Sequence, residues 1–179
     1  MDVVRVSKRL SYVLRHRPDS VGLTLDRAGW TDVAQLLAAL RLTRAQLDRV
    51  VAADDKQRYA FDTTGTRIRA SQGHSVPVDL GHVARRPPDV LFHGTVDRFL
   101  PAILTEGLRP GRRHAIHLSS DQPTAHAVGA RRGRPVVLRV EAARMADGGA
   151  RFTRSANGVW LVDVVPPVFL AVVEGPLGG

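Results

Sequence analysis

The sequence predicts an α+β protein in two parts, and three observations lead to this prediction. The first part combines amphipathic helical periodicity with two strand-like runs, whereas the second is mostly short strand-like runs with two helices among them. Residues 85–89, Arg-Arg-Pro-Pro-Asp, separate the parts as a stiff polar linker. No G-x-G-x-x-G turn is present, which disfavours a parallel dinucleotide-binding sheet. We therefore expect one domain over residues 1–85 and another over 89–179.

Three short helices are predicted for the first part. Pro18 ends the first helix, because the residue before a proline is pushed out of the helical region. Thr31 is a good N-cap for the second helix, and Thr43 with Gln46 forms a capping box for the third. The apolar stripes of the three helices are Val3, Val6, Leu10, Val13 and Leu14; Val33, Leu36, Leu37 and Leu40; and Leu47, Val50 and Val51.

Strand patterns complete the first part. Residues 23–25 alternate like a short strand, and the runs 58–62 and 67–70 flank a Thr-Thr-Gly-Thr turn. Three short helices followed by a hairpin give the element order of a winged helix, a common nucleic-acid-binding scaffold. We therefore expect a winged-helix lobe here.

The second part is predicted to be rich in strands. A buried type of strand over residues 90–93 ends in a His-Gly-Thr turn. Helices are predicted over 96–104, ended by Gly107, and over 121–131, with Asp121 in the first turn. The remaining predicted strands cover 116–119, 135–141, 158–164 and 168–174.

Composition narrows the possible partners and compartment. The 26 basic and 17 acidic residues give a net charge of +9, which favours an anionic partner such as nucleic acid. Zero cysteines exclude disulfides and thiolate chemistry. No apolar run is long enough for a membrane span, and the N-terminal residues lack the apolar region of a secretory signal. We therefore expect a cytoplasmic protein.

The first part carries candidate phosphate ligands. Arg15 and His16 lie together at the end of the first helix, and a guanidinium matches phosphate oxygens with two hydrogen bonds. The simpler alternative is a helix C-cap, since cations favour that end of a helix dipole. Further donors follow around the hairpin, where the simpler explanation is an edge strand protected by basic residues over 55–59 and a polar turn over 67–75. They are Lys56, Arg58, Arg69, Gln72 and His74.

Candidate nucleotide ligands lie in the second part. His93 and Thr95 flank Gly94, which lets a ligand approach the backbone, and both side chains can bond ribose hydroxyls. His117 and Ser119 project from a strand that follows Arg113. A satisfied core histidine is the simpler explanation for His93 taken alone. Neither a metal-ligand cluster nor a pair of carboxylates at hydrolytic spacing is apparent.

Six ordered motifs resemble one known family. They are LRHRP (14–18), DKQRY (55–59), IRASQGHS (68–75), FHGT (92–95), EGLRPGRRHAIHLS (106–119) and NGVWLVDVVPP (157–167). Together they span nearly the whole chain and resemble the Tpt1/KptA family of NAD-dependent RNA 2′-phosphotransferases. The resemblance implies a winged-helix RNA lobe followed by an ADP-ribosyltransferase-like NAD lobe.

The resemblance implies a set of catalytic residues. The family's Arg-His pair falls on Arg15 and His16, and its two later motif arginines fall on Arg58 and Arg113, with the adjacent Arg112 as the alternative for the last. The sequence also departs from the family pattern. Tyr59 replaces the usual Phe, Ala115 replaces the first His of the H-V-H motif, and Gly111 replaces the expected Met.

The resemblance also implies a reaction and its partners. An internal RNA 2′-phosphate is transferred to NAD in two steps, which give 2′-phospho-ADP-ribosylated RNA and then 2′-OH RNA, ADP-ribose 1″,2″-cyclic phosphate and nicotinamide. NAD is consumed as a co-substrate held by the segment 93–95 with His117 and Ser119, and no metal is expected. The RNA partners include tRNA, as in tRNA splicing or RNA repair, and the expected protein is a monomer with no membrane contact.

Three other functions stay open at the level of sequence. A winged-helix DNA-binding regulator would explain the charge, although its recognition helix carries only Arg44 and Arg49. A protein mono-ADP-ribosyltransferase usually has a late glutamate, whereas residues 158–162 are apolar here. ADP-ribosylation of a terminal RNA or DNA phosphate would use the same pockets without the second step.

Overall fold

The computed structural model describes residues 2–111 and 113–173. The fold is a mixture of short helices and three small antiparallel sheets, in agreement with the predicted α+β class. The chain divides into two compact units between His82 and Val83. Within the described ranges no helix is long and apolar enough to span a membrane.

The first unit contains three helices and one sheet. Its strands pair in the order β1-β3-β2, with both pairs antiparallel. Its elements are α1 (Val3–Arg15), a 3-10 turn (Pro18–Val21), β1 (Thr31–Asp32), α2 (Val33–Leu40), α3 (Arg44–Ala52), β2 (Tyr59–Phe61) and β3 (Arg67–Ala70).

Local sequence signals account for most of this unit. The predicted stripe of α1 places Leu10, Val13 and Leu14 in the core. The predicted capping box of α3 is confirmed, since Thr43 and Gln46 bond each other's backbone. Apolar burial on one face of each helix then supplies the packing energy that short helices need.

Two predictions for this unit are wrong. Residues 23–25 form no strand, because Leu23 is buried beside the 3-10 turn and its amide donates to the Pro18 carbonyl, 3.0 Å away. Thr31 is not the N-cap of α2, since it pairs with Ile68 in β1. The cap is Asp32, whose carboxylate accepts from the Gln35 amide at 2.9 Å.

The second unit contains two three-stranded antiparallel sheets, with strand orders β4-β6-β9 and β5-β8-β7. Phe92 and Ser119 form an isolated bridge between β4 and β5. The elements are β4 (Leu91–Val96), a 3-10 turn (Asp97–Phe99), α4 (Leu100–Glu106), β5 (Ile116–Leu118), α5 (Gln122–Gly129), β6 (Pro135–Val140), α6 (Ala142–Asp147), β7 (Thr153–Arg154), β8 (Trp160–Val162), a 3-10 turn (Pro167–Phe169) and β9 (Leu170–Val172).

The main corrections in the second unit concern β4 and two elements that were not predicted. The segment 93–95 is not a turn after a strand, because β4 continues to Val96 and pairs along its whole length with β6. Helix α6 and strand β7 are too short to give a periodic signal in the sequence. Glu174, at the end of the last predicted strand, lies outside the described residues.

Helix α5 packs very closely on β4. A Cβ atom added to Gly94 would lie 1.7 Å from the Ala125 carbonyl oxygen, and one added to Gly129 would lie 2.4 Å from the Thr95 carbonyl oxygen. These are backbone atoms that no side-chain rotation can move. Glycine at both positions therefore sets the distance between helix and strand.

The predicted linker begins with residues that pair within the second unit. Ala84 forms an antiparallel bridge with Thr153, and the Arg85 amide donates to the Phe152 carbonyl at 2.9 Å. Pro87 is buried. The start of the 85–89 segment is thus fixed by strand-like hydrogen bonds as well as by proline stiffness.

Candidate active site

Arg15 and His16 lie where α1 ends. Arg15 is the last helical residue and His16 is the C-cap, whose amide donates to the Tyr12 carbonyl at 2.9 Å. Both residues are half-buried. The helix therefore presents a guanidinium and an imidazole from adjacent positions at its carboxyl end, where cations are favoured.

A polar loop packs against this helix end. The Ser75 amide donates to the Arg15 carbonyl at 2.9 Å, and the Ser75 hydroxyl lies 2.9 Å from His16 Nδ1. Both residues belong to motifs singled out in the sequence, but no local pattern predicts that they pair. The loop thus closes the helix end and contacts one of the two predicted catalytic side chains.

Arg58 is held by Asp54, a residue that sequence reasoning missed. The Asp54 carboxylate accepts hydrogen bonds from both the amide and the guanidinium of Arg58. The Asp54 side chain is 2% exposed and that of Arg58 28% exposed, so the pair is largely shielded from water. The two bonds fix the direction of the Arg58 side chain, as a phosphate ligand requires.

The remaining candidates of the first unit differ in their surroundings. Lys56 is exposed, and His74 is buried beside Gly29. The side-chain oxygen of Gln72 is buried and accepts no hydrogen bond from the described residues. A buried polar atom without a hydrogen-bond partner costs free energy. The Gln72 side chain is therefore well suited to a ligand that donates a hydrogen bond.

Arg69 has structural contacts of its own. Its guanidinium lies 4.5 Å from the Trp30 ring centroid and donates to the Ala28 carbonyl at 3.2 Å. Burial lowers the pKa of His82, and the charge of Arg69 lowers it further. Arg69 therefore stabilises the loop before β1, and its predicted role in substrate binding stays a prediction.

Three motif residues of the second unit form a hydrogen-bonded chain. Nδ1 of His93 lies 3.0 Å from the His117 carbonyl, which can only accept, so this nitrogen carries the proton. Arg113 lies 3.2 Å from Nδ1 of His117, and a guanidinium can only donate. Nδ1 of His117 therefore accepts the hydrogen bond in this contact.

The surroundings of His93 favour its neutral form. Burial lowers the pKa of His93, and the charges of Arg132 and Arg113 lower it further, whereas the bond to the His117 carbonyl raises it. A neutral ring with its proton on Nδ1 has a lone pair on Nε2. His93 is therefore a hydrogen-bond acceptor at neutral pH.

Arg113 stays charged in the same surroundings. Partial burial and then the Arg132 charge lower the pKa of its guanidinium, but an arginine starts far above neutral pH. No carboxylate pairs with Arg113 among the described residues. Its positive charge is thus less compensated than that of Arg58.

Gly94, Thr95 and Ser119 are held by strand pairing. Gly94 pairs with Val137, and Thr95, which is buried, pairs with Val136. Ser119 exchanges two backbone hydrogen bonds with Phe92, at 2.8 and 2.9 Å. Packing against α5 explains why residue 94 is glycine, and its contact with a ligand stays a prediction.

The structure links some of the predicted residues within each unit. Arg15 and His16 contact the loop that follows β3, and the Ser71 amide of that loop donates to the Arg58 carbonyl at 2.8 Å. The second unit joins His93, His117 and Arg113. Arg112, the alternative to Arg113, lies outside the described residues. No group of three or more metal-ligating side chains occurs in the two described ranges.

Comparison with known proteins assigns the family. The sequence matches the RNA 2′-phosphotransferase, Tpt1/KptA family over residues 1–164. The chain belongs to this family. It is 56% identical over 171 residues to a probable RNA 2′-phosphotransferase of Agrobacterium fabrum, covering 93% of this chain and 92% of that protein. The predicted resemblance to the Tpt1/KptA family is therefore confirmed.

Relatives from other bacteria agree. A probable RNA 2′-phosphotransferase of Streptomyces griseus is 54% identical over 179 residues, which cover 93% of this chain and 95% of the relative. One from Escherichia coli O6:K15:H31 is 48% identical over 175 residues, which cover 94% and 95%. The similarity thus extends over nearly the full length of each relative.

Proposed function

We propose that this protein is an NAD-dependent RNA 2′-phosphotransferase. The observation that carries the proposal is the match to the RNA 2′-phosphotransferase family over residues 1–164, which includes every predicted catalytic residue. Arg15, His16 and Arg58 bind the RNA 2′-phosphate, and Arg113 stabilises negative charge in the transition states. The element order of the first unit supports a winged-helix RNA lobe, and the second unit is proposed as an ADP-ribosyltransferase-like NAD lobe.

The first step joins RNA to ADP-ribose. A 2′-phosphate oxygen attacks C1″ of the nicotinamide ribose, the C1″–N bond breaks, and nicotinamide leaves with the bonding electron pair. The phosphate needs orientation more than activation, because it is already an anion. The buried Asp54 supports this role by restricting the Arg58 guanidinium to one direction.

The second step releases the RNA. The ribose O2″ hydroxyl attacks the phosphorus atom and loses its proton, and the RNA 2′-oxygen leaves and takes a proton. The products are RNA with a 2′-OH and ADP-ribose 1″,2″-cyclic phosphate. Charge spreads over the phosphate oxygens in such a transfer, and a guanidinium without a carboxylate partner stabilises it strongly. Arg113 contacts His117 and has no carboxylate partner among the described residues, whereas Arg58 is paired with Asp54.

The second unit supplies groups suited to the NAD riboses. His93 is neutral and accepts through Nε2, so it fits a ribose hydroxyl better than a phosphate oxygen. Further polar atoms come from Thr95 on β4, His117 on β5 and Ser119 directly after β5. We propose that NAD is held by these residues together with the backbone at Gly94, that no metal takes part, and that a monomer acts on RNA, tRNA included, in the cytoplasm.

Incubation with NAD and an oligoribonucleotide carrying one internal 2′-phosphate tests the proposal. We expect nicotinamide release in equal amount to conversion of the 2′-phosphate to a 2′-OH. The same oligonucleotide without the 2′-phosphate is the matched control and should release no nicotinamide. Absence of nicotinamide release from the phosphorylated oligonucleotide would reject the proposed function. Modification only of terminally phosphorylated RNA or DNA would replace it with ADP-ribosylation of end phosphates.

A further inference from the structure

We propose that Ser75 is a positioning residue for His16, and that its hydroxyl holds the imidazole in one orientation during catalysis. The inference rests on the proposed function, in which His16 contacts the RNA phosphate. It concerns a bond between residues that are 59 positions apart in sequence, with 2.9 Å between Ser75 Oγ and His16 Nδ1.

The backbone determines where Ser75 lies. Its amide donates to the Arg15 carbonyl at 2.9 Å, and the Val76 amide approaches the same carbonyl at 3.4 Å. The loop is therefore attached to the last residue of α1 independently of the serine side chain. Removal of the hydroxyl alone should leave the loop in place and remove only its hydrogen bond to the imidazole.

His16 requires such a restraint because of its position. It is the C-cap of α1, with φ −127° and ψ −41°, and the chain leaves the helix directly after it. The residue is half-buried, so the surrounding protein encloses the ring less completely than it would in the core. The Tyr12 ring lies beside it, with 6.2 Å between the ring centroids. The hydrogen bond at Nδ1 adds a directional restraint on rotation of the ring about its side-chain torsions.

A serine hydroxyl can bond either form of Nδ1. The hydroxyl donates to Nδ1 when this nitrogen carries a lone pair, and it accepts from Nδ1 when this nitrogen carries a proton. Ser75 can thus hold the ring in either tautomer. A carboxylate at this position would instead favour the protonated ring.

Steady-state kinetics of Ser75→Ala, Ser75→Thr, His16→Ala and the Ser75→Ala/His16→Ala double variant test the proposal. We expect Ser75→Ala to lower kcat about tenfold, in the range of one lost hydrogen bond, while KM for NAD stays within twofold. Ser75→Thr should keep most of the wild-type kcat, because it retains the hydroxyl and its extra methyl group lies at an exposed position. In the His16→Ala background, Ser75→Ala should have no further effect, because Ser75 acts through His16.

Ser11→Ala is the matched control. It removes a serine hydroxyl bond of similar length, 3.0 Å to the Tyr59 hydroxyl, from the same helix without touching His16. We expect its kcat to match that of the wild type. An equal loss of kcat in Ser11→Ala and Ser75→Ala would overturn the proposal, as would additive losses in the double variant.

Imidazole nitrogen chemical shifts provide a measurement that does not depend on activity. Spectra of ¹⁵N-histidine-labelled protein should show His16 resonances that move in Ser75→Ala and return in Ser75→Thr. Unchanged His16 resonances in Ser75→Ala would overturn the positioning role even in an active enzyme. An inactive wild type with the expected shift changes would reject the proposed function and leave the Ser75–His16 contact established.

Discussion

The two units hold their candidate site residues by different means. In the first unit, side chains restrain other side chains: Asp54 binds Arg58, and Ser75 binds His16. In the second unit backbone contacts hold more of the site residues. His93 donates to a backbone carbonyl, and β4 is fixed between β6 and α5. The comparison indicates that the first site responds to changes of single polar groups, whereas the second responds most to changes in backbone packing.

Gly94→Ala should have the largest effect on stability. The new methyl group would lie 1.7 Å from the Ala125 carbonyl oxygen, so α5 would have to move away from β4. We expect a loss of about 3 kcal/mol or more in the free energy of unfolding, measured by denaturant titration. Gly148→Ala is the control, because the added Cβ there meets its nearest atom at 3.4 Å. A Gly94→Ala protein as stable as the control would contradict backbone-fixed packing at this site.

Arg113→Ala should have the largest effect on catalysis. Removal of one charged donor from a transition state typically lowers kcat by about 10²–10³-fold. Arg113→Lys should recover only part of this, since a lysine keeps the charge but not the planar set of donors. The control is Arg109→Ala, which removes an exposed arginine from the same loop. Wild-type kcat in Arg113→Ala would exclude Arg113 as the catalytic arginine and favour Arg112.

Asp54→Asn should have an intermediate effect on the stability of the first unit and on RNA binding. The substitution weakens both bonds to Arg58, and we expect a loss of about 1–3 kcal/mol in the free energy of unfolding together with a higher KM for the RNA. Asp48→Asn is the control, because its pair with Arg44 has the same spacing but is about half exposed on both sides. Such an exposed pair contributes about 0.3–0.5 kcal/mol. Equal effects of the two variants would show that side-chain restraint of Arg58 is unimportant.

The smallest expected effect is a pH dependence that originates at His93. Its pKa is lowered in the folded protein, so the unfolded chain binds the proton more tightly. The folded state therefore loses stability as pH falls below about 6.5, the ordinary histidine value, and regains it as pH rises. His93→Gln should reduce this slope in thermal unfolding between about pH 5 and 7, whereas His114→Gln, at an exposed position, should not. An unchanged slope in His93→Gln would contradict a lowered pKa of His93.

Local signals explain what the sequence could predict. The capping box of α3 involves residues three positions apart, and the end of α1 follows from Pro18, so both were predictable. Strand β4 was predicted too short, because the polar residues His93 and Thr95 interrupt an apolar pattern that strand pairing nevertheless continues. The family motifs located the candidate residues in the sequence but gave no information on their partners.

The partners depend on tertiary contacts that no short pattern encodes. Asp54 reaches Arg58 across a turn in which Gln57 takes a φ of 44°, a conformation that few side chains adopt. Ser75 meets His16 only because the loop after β3 returns to the end of α1. The need for glycine at position 94 arises from α5, about thirty residues later in the chain.

The most direct test of the proposed two-step transfer follows the phosphorus atom itself. An oligoribonucleotide with a ³²P-labelled internal 2′-phosphate is incubated with the protein and NAD, and the products are separated by chromatography. We expect the label to leave the RNA and to appear in ADP-ribose 1″,2″-cyclic phosphate. Two results would contradict the two-step transfer. One is release of the label as inorganic phosphate, and the other is label that stays on the RNA after nicotinamide release is complete.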